Sequence, residues 1–216
     1  MAAWLLGHIY AYELRSESDP AAWIARQREK LAGDVRQRVA AALALAQVAE
    51  HNLPQDLGLP LAALLNQDDP TDFAVLRALT KLSKTPAEIP VEPLLSLICN
   101  PDTSPDILHR ACEFFGQRPD PRAVPELIRS ARSLDEGVRR AAVAALGMAS
   151  GVEADTVLHS ALEDASEWVR RAALEALARN QNETARHLLF ENFNPKWYTV
   201  TDPAAPITPA PVTAAT

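Results

Sequence analysis

Apolar and polar positions follow a helical period along most of the chain, and the pattern repeats. Ile107 to Gly116, Val138 to Gly147 and Val169 to Ala178 superimpose without gaps at a spacing of 31 residues. Apolar residues recur at four columns: 107/138/169, 111/142/173, 112/143/174 and 115/146/177. Those positions lie at offsets of 0, 4, 5 and 8, which share one face of a 3.6-residue helix. Two weaker copies stand upstream, Val35 to Leu43 and Ala74 to Leu82, so five copies are visible.

A second apolar segment follows each copy. These run from Leu57 to Asn66, Val91 to Cys99, Arg122 to Ser133, Glu153 to Asp164 and Glu183 to Phe193. Leu94, Leu127, Leu158 and Leu189 take equivalent places in the last four. The unit is therefore two helices joined by a tight turn. Asp69-Pro70, Ser104-Pro105 and Asp120-Pro121 put a capping side chain before a proline that a first helical turn tolerates. Asp34, Asp135 and Ser166 are placed to cap other first helices. Gly116 and Gly147 fall where helices should end, which predicts left-handed C-caps.

One such helix pair cannot bury its apolar face alone and must share a core with its neighbours. The sequence thus predicts an all-α chain, an α-solenoid of stacked antiparallel helix pairs. Residues 1–32 form N-terminal capping helices, residues 33–194 carry about five repeats, and residues 195–216 form a Pro/Ala/Thr-rich tail. The aromatics gather at the two ends, as capping units require: Trp4, Tyr10, Tyr12 and Trp23 at one, Phe190, Phe193, Trp197 and Tyr198 at the other. Ala2 to Arg15 and Pro20 to Leu31 read as a capping hairpin. Pro203 to Thr216 has no charge and too little apolar area to offset its ordering entropy, so it should be disordered or polyproline-like.

Composition supports the class and narrows the function. The hydrophobic fraction is 48%, built mainly from Ala and Leu, while aromatics are 6%. Ala and Leu favour helix, and the strand-forming residues are sparse. A net charge of -7 lowers the expectation of nucleic-acid binding and of docking on anionic membranes. No window approaches the length of uncharged apolar residues that a membrane span needs, so no membrane insertion is expected. Met1 to Tyr12 lacks a basic start and is interrupted by His8, unlike a signal peptide. Cys99 and Cys112 both lie in apolar helical runs and are expected to be small buried hydrophobes in a reducing, cytoplasmic setting.

At this point a family comes into view. Val-Arg-Arg-Ala-Ala, an Ala-Leu-Gly close and then Asp-Pro-Arg-Ala-Val-Pro-Glu-Leu (Asp120 to Leu127) resemble the HEAT-like repeat of phycobilisome-lyase type, within the wider HEAT/armadillo-like group. The resemblance is strong from Pro101 to Asn192, looser from Gly33 to Asn100 and absent at the termini. It implies a right-handed superhelix with first helices on the convex side and second helices lining a concave groove. It also implies a range of roles, from scaffolds and adaptors to subunits that handle bilin chromophores. Such a motif specifies architecture far better than function. Two enzymatic branches of HEAT-like proteins fit poorly. The di-iron hydroxylases need repeated His-Glu pairs, and the chain has no His-Glu dipeptide. The DNA glycosylases have a basic groove with buried aromatics, against which the acidic balance argues, with Trp168 the one feature in favour.

The candidate site residues follow from the helix faces. Arg110, Arg139-Arg140 and Arg170-Arg171 are either an anion-binding stripe or a ladder to acids such as Asp135 and Asp164, and their repetition in register favours the ladder. Arg122, Arg129 and Arg132 share a face of one second helix and are the basic patch proposed to contact a partner; otherwise that face is simply solvated. His159 and His187, with Glu163 a turn after His159, lie on successive second helices but in different columns and without a third ligand. Trp197 and Tyr198, near Phe193 and Pro195, either cap the last repeat or dock a partner. There is no phosphate loop, Cys-His metal spacing or nucleophile elbow, so no catalytic, cofactor or metal residues are assigned. The expected function is a non-catalytic scaffold or adaptor that binds a protein partner in its groove. The alternative is a subunit of a bilin lyase or other chromophore-handling complex.

Overall fold

A computed structural model describes residues 19–48, 53–149 and 151–179. Ten α-helices and no strand are present among them. In chain order they are α1 (Pro20–Leu31), α2 (Val35–Leu45), α3 (Gly58–Ala62), α4 (Asp69–Leu82), α5 (Glu92–Cys99), α6 (Pro105–Gln117), α7 (Val124–Ser130), α8 (Glu136–Leu146), α9 (Val152–Ala161) and α10 (Glu167–Arg179). Short 3-10 turns at Gln55–Leu57 and Pro121–Ala123 lead into α3 and α7. The N-terminal half of the capping hairpin, the fifth second helix, Phe193, Trp197, Tyr198 and the tail lie outside the described residues.

The first helices of successive units are α2, α4, α6, α8 and α10. Each packs on the next in unbroken succession, most extensively between α6 and α8. The second helices α3, α5, α7 and α9 are shorter and meet one another far less. The repeated columns explain the arrangement. Ile107, Val138 and Val169 are buried, as are Ala111, Ala142 and Ala173, and Phe115, Leu146 and Leu177. In the remaining column Cys112 and Val143 are buried and Leu174 is half-buried against the core. Leu94, Leu127 and Leu158 deliver the second helices to the same core. Sealing a side chain such as Leu or Phe from water contributes about 1.5–3 kcal/mol, and here that gain arises only when neighbouring units stack.

Helix starts follow local chemistry. The Asp34 carboxylate accepts the Gln37 N–H, and the Gln37 side chain accepts the Asp34 N–H in return, a reciprocal capping box. Asp135 caps α8 by accepting the Val138 N–H at 2.9 Å, and Ser166 Oγ accepts the Trp168 N–H at 3.2 Å. Asp120 caps its 3-10 turn through the Arg122 N–H. Two caps differ from the expectation. Asp68 rather than Asp69 caps α4, with its oxygens taking the N–H and the hydroxyl of Thr71. Ser104 occupies the cap position of α6 but makes no side-chain cap bond, so Pro105 alone marks that start.

The glycines correct a second expectation. Neither Gly116 nor Gly147 is left-handed; Gly151 and Asn66 are the positions with positive φ among the described residues. A methyl group on Gly147 would approach Ala176 Cβ to 2.5 Å, whereas one on Gly116 would stand 3.5 Å from Ala145 Cα. The repeated glycine therefore serves close approach between first helices, and most tightly between α8 and α10. Cys99 is a further correction, because it is exposed at the end of α5, where the helix turns out of the core. Cys112 is buried as expected, and burial pushes its thiol up to about 12.

Candidate functional site

A groove of about 380 Å³ crosses α4, α6, α8 and α10 on the solvent side of the first helices. Thr80 and Lys84 come from α4 and the loop after it, His109, Glu113 and Gln117 from α6, Arg140 and Ala144 from α8, and Glu175 and Arg179 from α10. The small residues let the helices approach, and the long polar side chains on the opposite flank form the groove walls. At its α4–α6 end a second cleft of about 210 Å³ continues from it, lined by Arg77, Lys81, Lys84, Arg110 and Glu113. The resemblance implied a groove on the second helices; this one lies on the first.

Glu113 organises the centre. Arg110 Nη1 donates to one carboxylate oxygen at 2.6 Å, and His109 Nε2 lies 3.2 Å from the other. His109 Nδ1 meets the Gly137 carbonyl at 2.9 Å, tying α6 to the start of α8. Arg110 also stacks over the Phe73 ring at 5.3 Å, tying α6 to α4. Burial alone would raise the Glu113 carboxyl, but the His109 hydrogen bond and the Arg110 charge and hydrogen bond outweigh it and hold it at about 2. The same contact with Glu113 raises His109 above its usual value, against the opposing effect of burial.

The two residues of each arginine pair differ in their contacts. Arg139 forms a two-pronged ion pair with Asp164, at 2.9 and 3.0 Å, and donates to the Ser133 and Leu134 carbonyls. That contact draws the Asp164 carboxyl below its ordinary range. Arg170, in the same column, donates to the carbonyls of Asp164 and Ala165. This column is the ladder. Arg140, one residue on, is exposed in the groove, and Arg171 is exposed and pairs with Glu175.

The second-helix candidates are arranged differently. Arg122 is exposed but reaches Asp120, two residues before it, and Glu92 of the preceding unit. Arg129 donates to Glu126 and to the Ile98 carbonyl 31 residues upstream. Arg118 does likewise to the Ala87 carbonyl, also 31 residues upstream. These arginines fasten neighbouring units across the gaps between second helices. Arg132 is exposed just beyond α7. His159 is half-buried on α9, Glu163 is exposed beyond that helix, and Trp168 is 57% exposed at the start of α10. His187, Trp197 and Tyr198 lie outside the described residues. No group of three or more His, Cys, Asp or Glu suited to a metal ion occurs among the described residues. No helix among them is long and apolar enough to cross a membrane.

Sequence reasoning missed the groove because its walls are not a repeated motif. Arg38, Arg77 and Arg110 share a column, but Ala141 and Ala172 follow them there. A search for uniform stripes passes over such a site.

The fold and the groove define a helical repeat array whose first helices form one continuous layer. Residues 91–178 match the family described as HEAT repeats, and that segment holds α5 to α10 almost entirely. Among solved structures, the crystal structure of an engineered protein aligns with a TM-score of 0.59 and 20% identity, over 78% of this chain and 84% of that one. This likeness bears on the fold alone. None of the curated proteins matches the chain.

Proposed function

We propose that the chain is a non-catalytic scaffold that binds a protein partner, and that the partner lays an extended segment across the first-helix groove. The observation that carries this reading is the groove itself, which takes polar side chains from four consecutive first helices. HEAT repeats generally mediate protein–protein interaction, in keeping with an array that offers neighbouring helices as one surface. Half-buried Ala144 lies in the groove, where a long side chain would obstruct a bound segment without entering the core.

The test is Ala144→Arg in the full chain. A partner identified by affinity purification should lose most of its affinity for this variant, while the helical circular dichroism stays unchanged. Arg132→Glu, on the second-helix side, serves as the comparison. Equal binding by A144R and wild type would sink the groove reading. Loss confined to R132E would move the site to the second helices, where Arg122, Arg129, Arg132, His159 and Glu163 lie.

A further inference from the structure

We propose that the cleft between α4 and α6 is an anion-binding site that anchors an acidic side chain, Asp or Glu, of the partner's extended segment. This rests on the groove reading above and adds the chemistry of the ligand.

Arg77, Lys81 and Lys84 follow one another at intervals of four and three residues, so they share one face of α4 and its continuation. Arg110 faces them from α6. Among the described residues the cleft is lined by Arg77, Lys81, Lys84 and Arg110 and by the carboxylate of Glu113, and Arg77 and Lys81 are the cations that matter for an anion. Both oxygens of Glu113 are already engaged, one by Arg110 and one by His109. Little of its charge is left for Arg77 and Lys81. Arg77 is half-buried and makes no hydrogen bond to another described residue. Burial first, and then the nearby charge of Arg110, push it below its ordinary value. The buried Nε of Arg110 has no acceptor either. A carboxylate entering the cleft would offer Arg77 a counter-charge and an acceptor for its guanidinium, in the manner of arginine forks elsewhere.

The surroundings select among anions. The net charge of -7 disfavours a continuous phosphate backbone, whereas a peptide can place a single acid beside the cations and neutral residues elsewhere along the groove.

The experiment uses the full chain and fluorescence anisotropy. Three probes are compared at low salt: a labelled peptide of about ten residues with alternating Glu and Ala, its Gln counterpart, and an oligothymidylate of equal charge. The Glu peptide should bind about tenfold more tightly than the Gln peptide, with affinity that falls as salt rises. The variant Lys81→Glu should lose that advantage, and so should Arg77→Met, provided that both melt as wild type does. Equal affinity for the Glu and Gln peptides, undiminished binding by both variants, or tighter binding of the oligothymidylate would each overturn the proposal. If A144R loses its partner yet the Glu peptide shows no advantage, the groove reading stands and the acidic anchor falls.

Discussion

The two helix layers of this array are held together by different physics. In the first layer, α6, α8 and α10 touch through glycine and alanine, with Gly147 so close to Ala176 that no side chain fits between them. In the second layer the helices are short and meet little, and arginines from one unit reach carbonyls and carboxylates of the unit before. Contact between small residues is short-ranged and intolerant of added volume, since protein interiors are packed like crystals. An exposed arginine contact is tolerant, because water replaces what is lost. Coupling between repeats should therefore reside in the first layer, and the groove inherits its shape from that layer.

The largest expected effect breaks this comparison open. Gly147→Ala should destabilise the protein by about 2 kcal/mol, the range for an overpacked contact, even though Gly to Ala in a helix ordinarily stabilises by up to about 1 kcal/mol. Gly116→Ala, with its 3.5 Å clearance, should be neutral or slightly stabilising. Urea unfolding of the two variants measures the difference. Equal midpoints would show that close approach between α8 and α10 does not hold the array together.

A smaller effect separates the ladder from the surface fasteners. Arg139 and Asp164 are mostly shielded, with side chains 17% and 14% exposed, so Arg139→Ala leaves a carboxylate poorly solvated. It should cost about 1 kcal/mol, between the values for buried and exposed pairs. Arg122→Ala removes contacts of an exposed side chain to Asp120 and Glu92, and should leave the unfolding midpoint where it was. A larger loss from R122A than from R139A would reverse the roles assigned to the two layers.

The periodic columns made the first layer legible in sequence, because burial at Ile107, Val138 and Val169 depends on spacing alone. The cap at Asp34 and the Arg139–Asp164 ladder were legible too, though not the returning Gln37 bond. Gly116 and Gly147 predict left-handed caps in sequence and serve close packing instead, since a glycine near a helix end is ambiguous until the neighbouring helix is in place. The second-helix arginines were visible as a patch, but their carbonyl partners carry no sequence signal. The cleft was legible only at Arg110: Arg77, which faces it, lies in a column that stops being basic at Ala141.

The smallest expected effect is a pH slope, and it tests whether His109 fastens α6 to α8 as a cation. Its contact with Glu113 raises its folded value above the usual 6.5. The stability it contributes is therefore complete below about 6.5 and is lost as pH rises through the raised folded value. Glu113 is held at about 2, so the partner carboxylate stays ionised across that window and adds no slope of its own. Asp72 has the same sign in a different window. Burial raises it from 3.8 to about 6, against the Asn66 N–H that it accepts at 2.9 Å, so its contribution fades as pH climbs towards and through about 6. Melting temperatures from pH 4 to pH 9 should thus fall in two stages. His109→Gln should remove the upper stage and leave the lower one, and Asp72→Asn should do the opposite. An upper stage that survives in H109Q would mean that His109 is neutral in the fold, with the bond to the Gly137 carbonyl as its main tie between repeats.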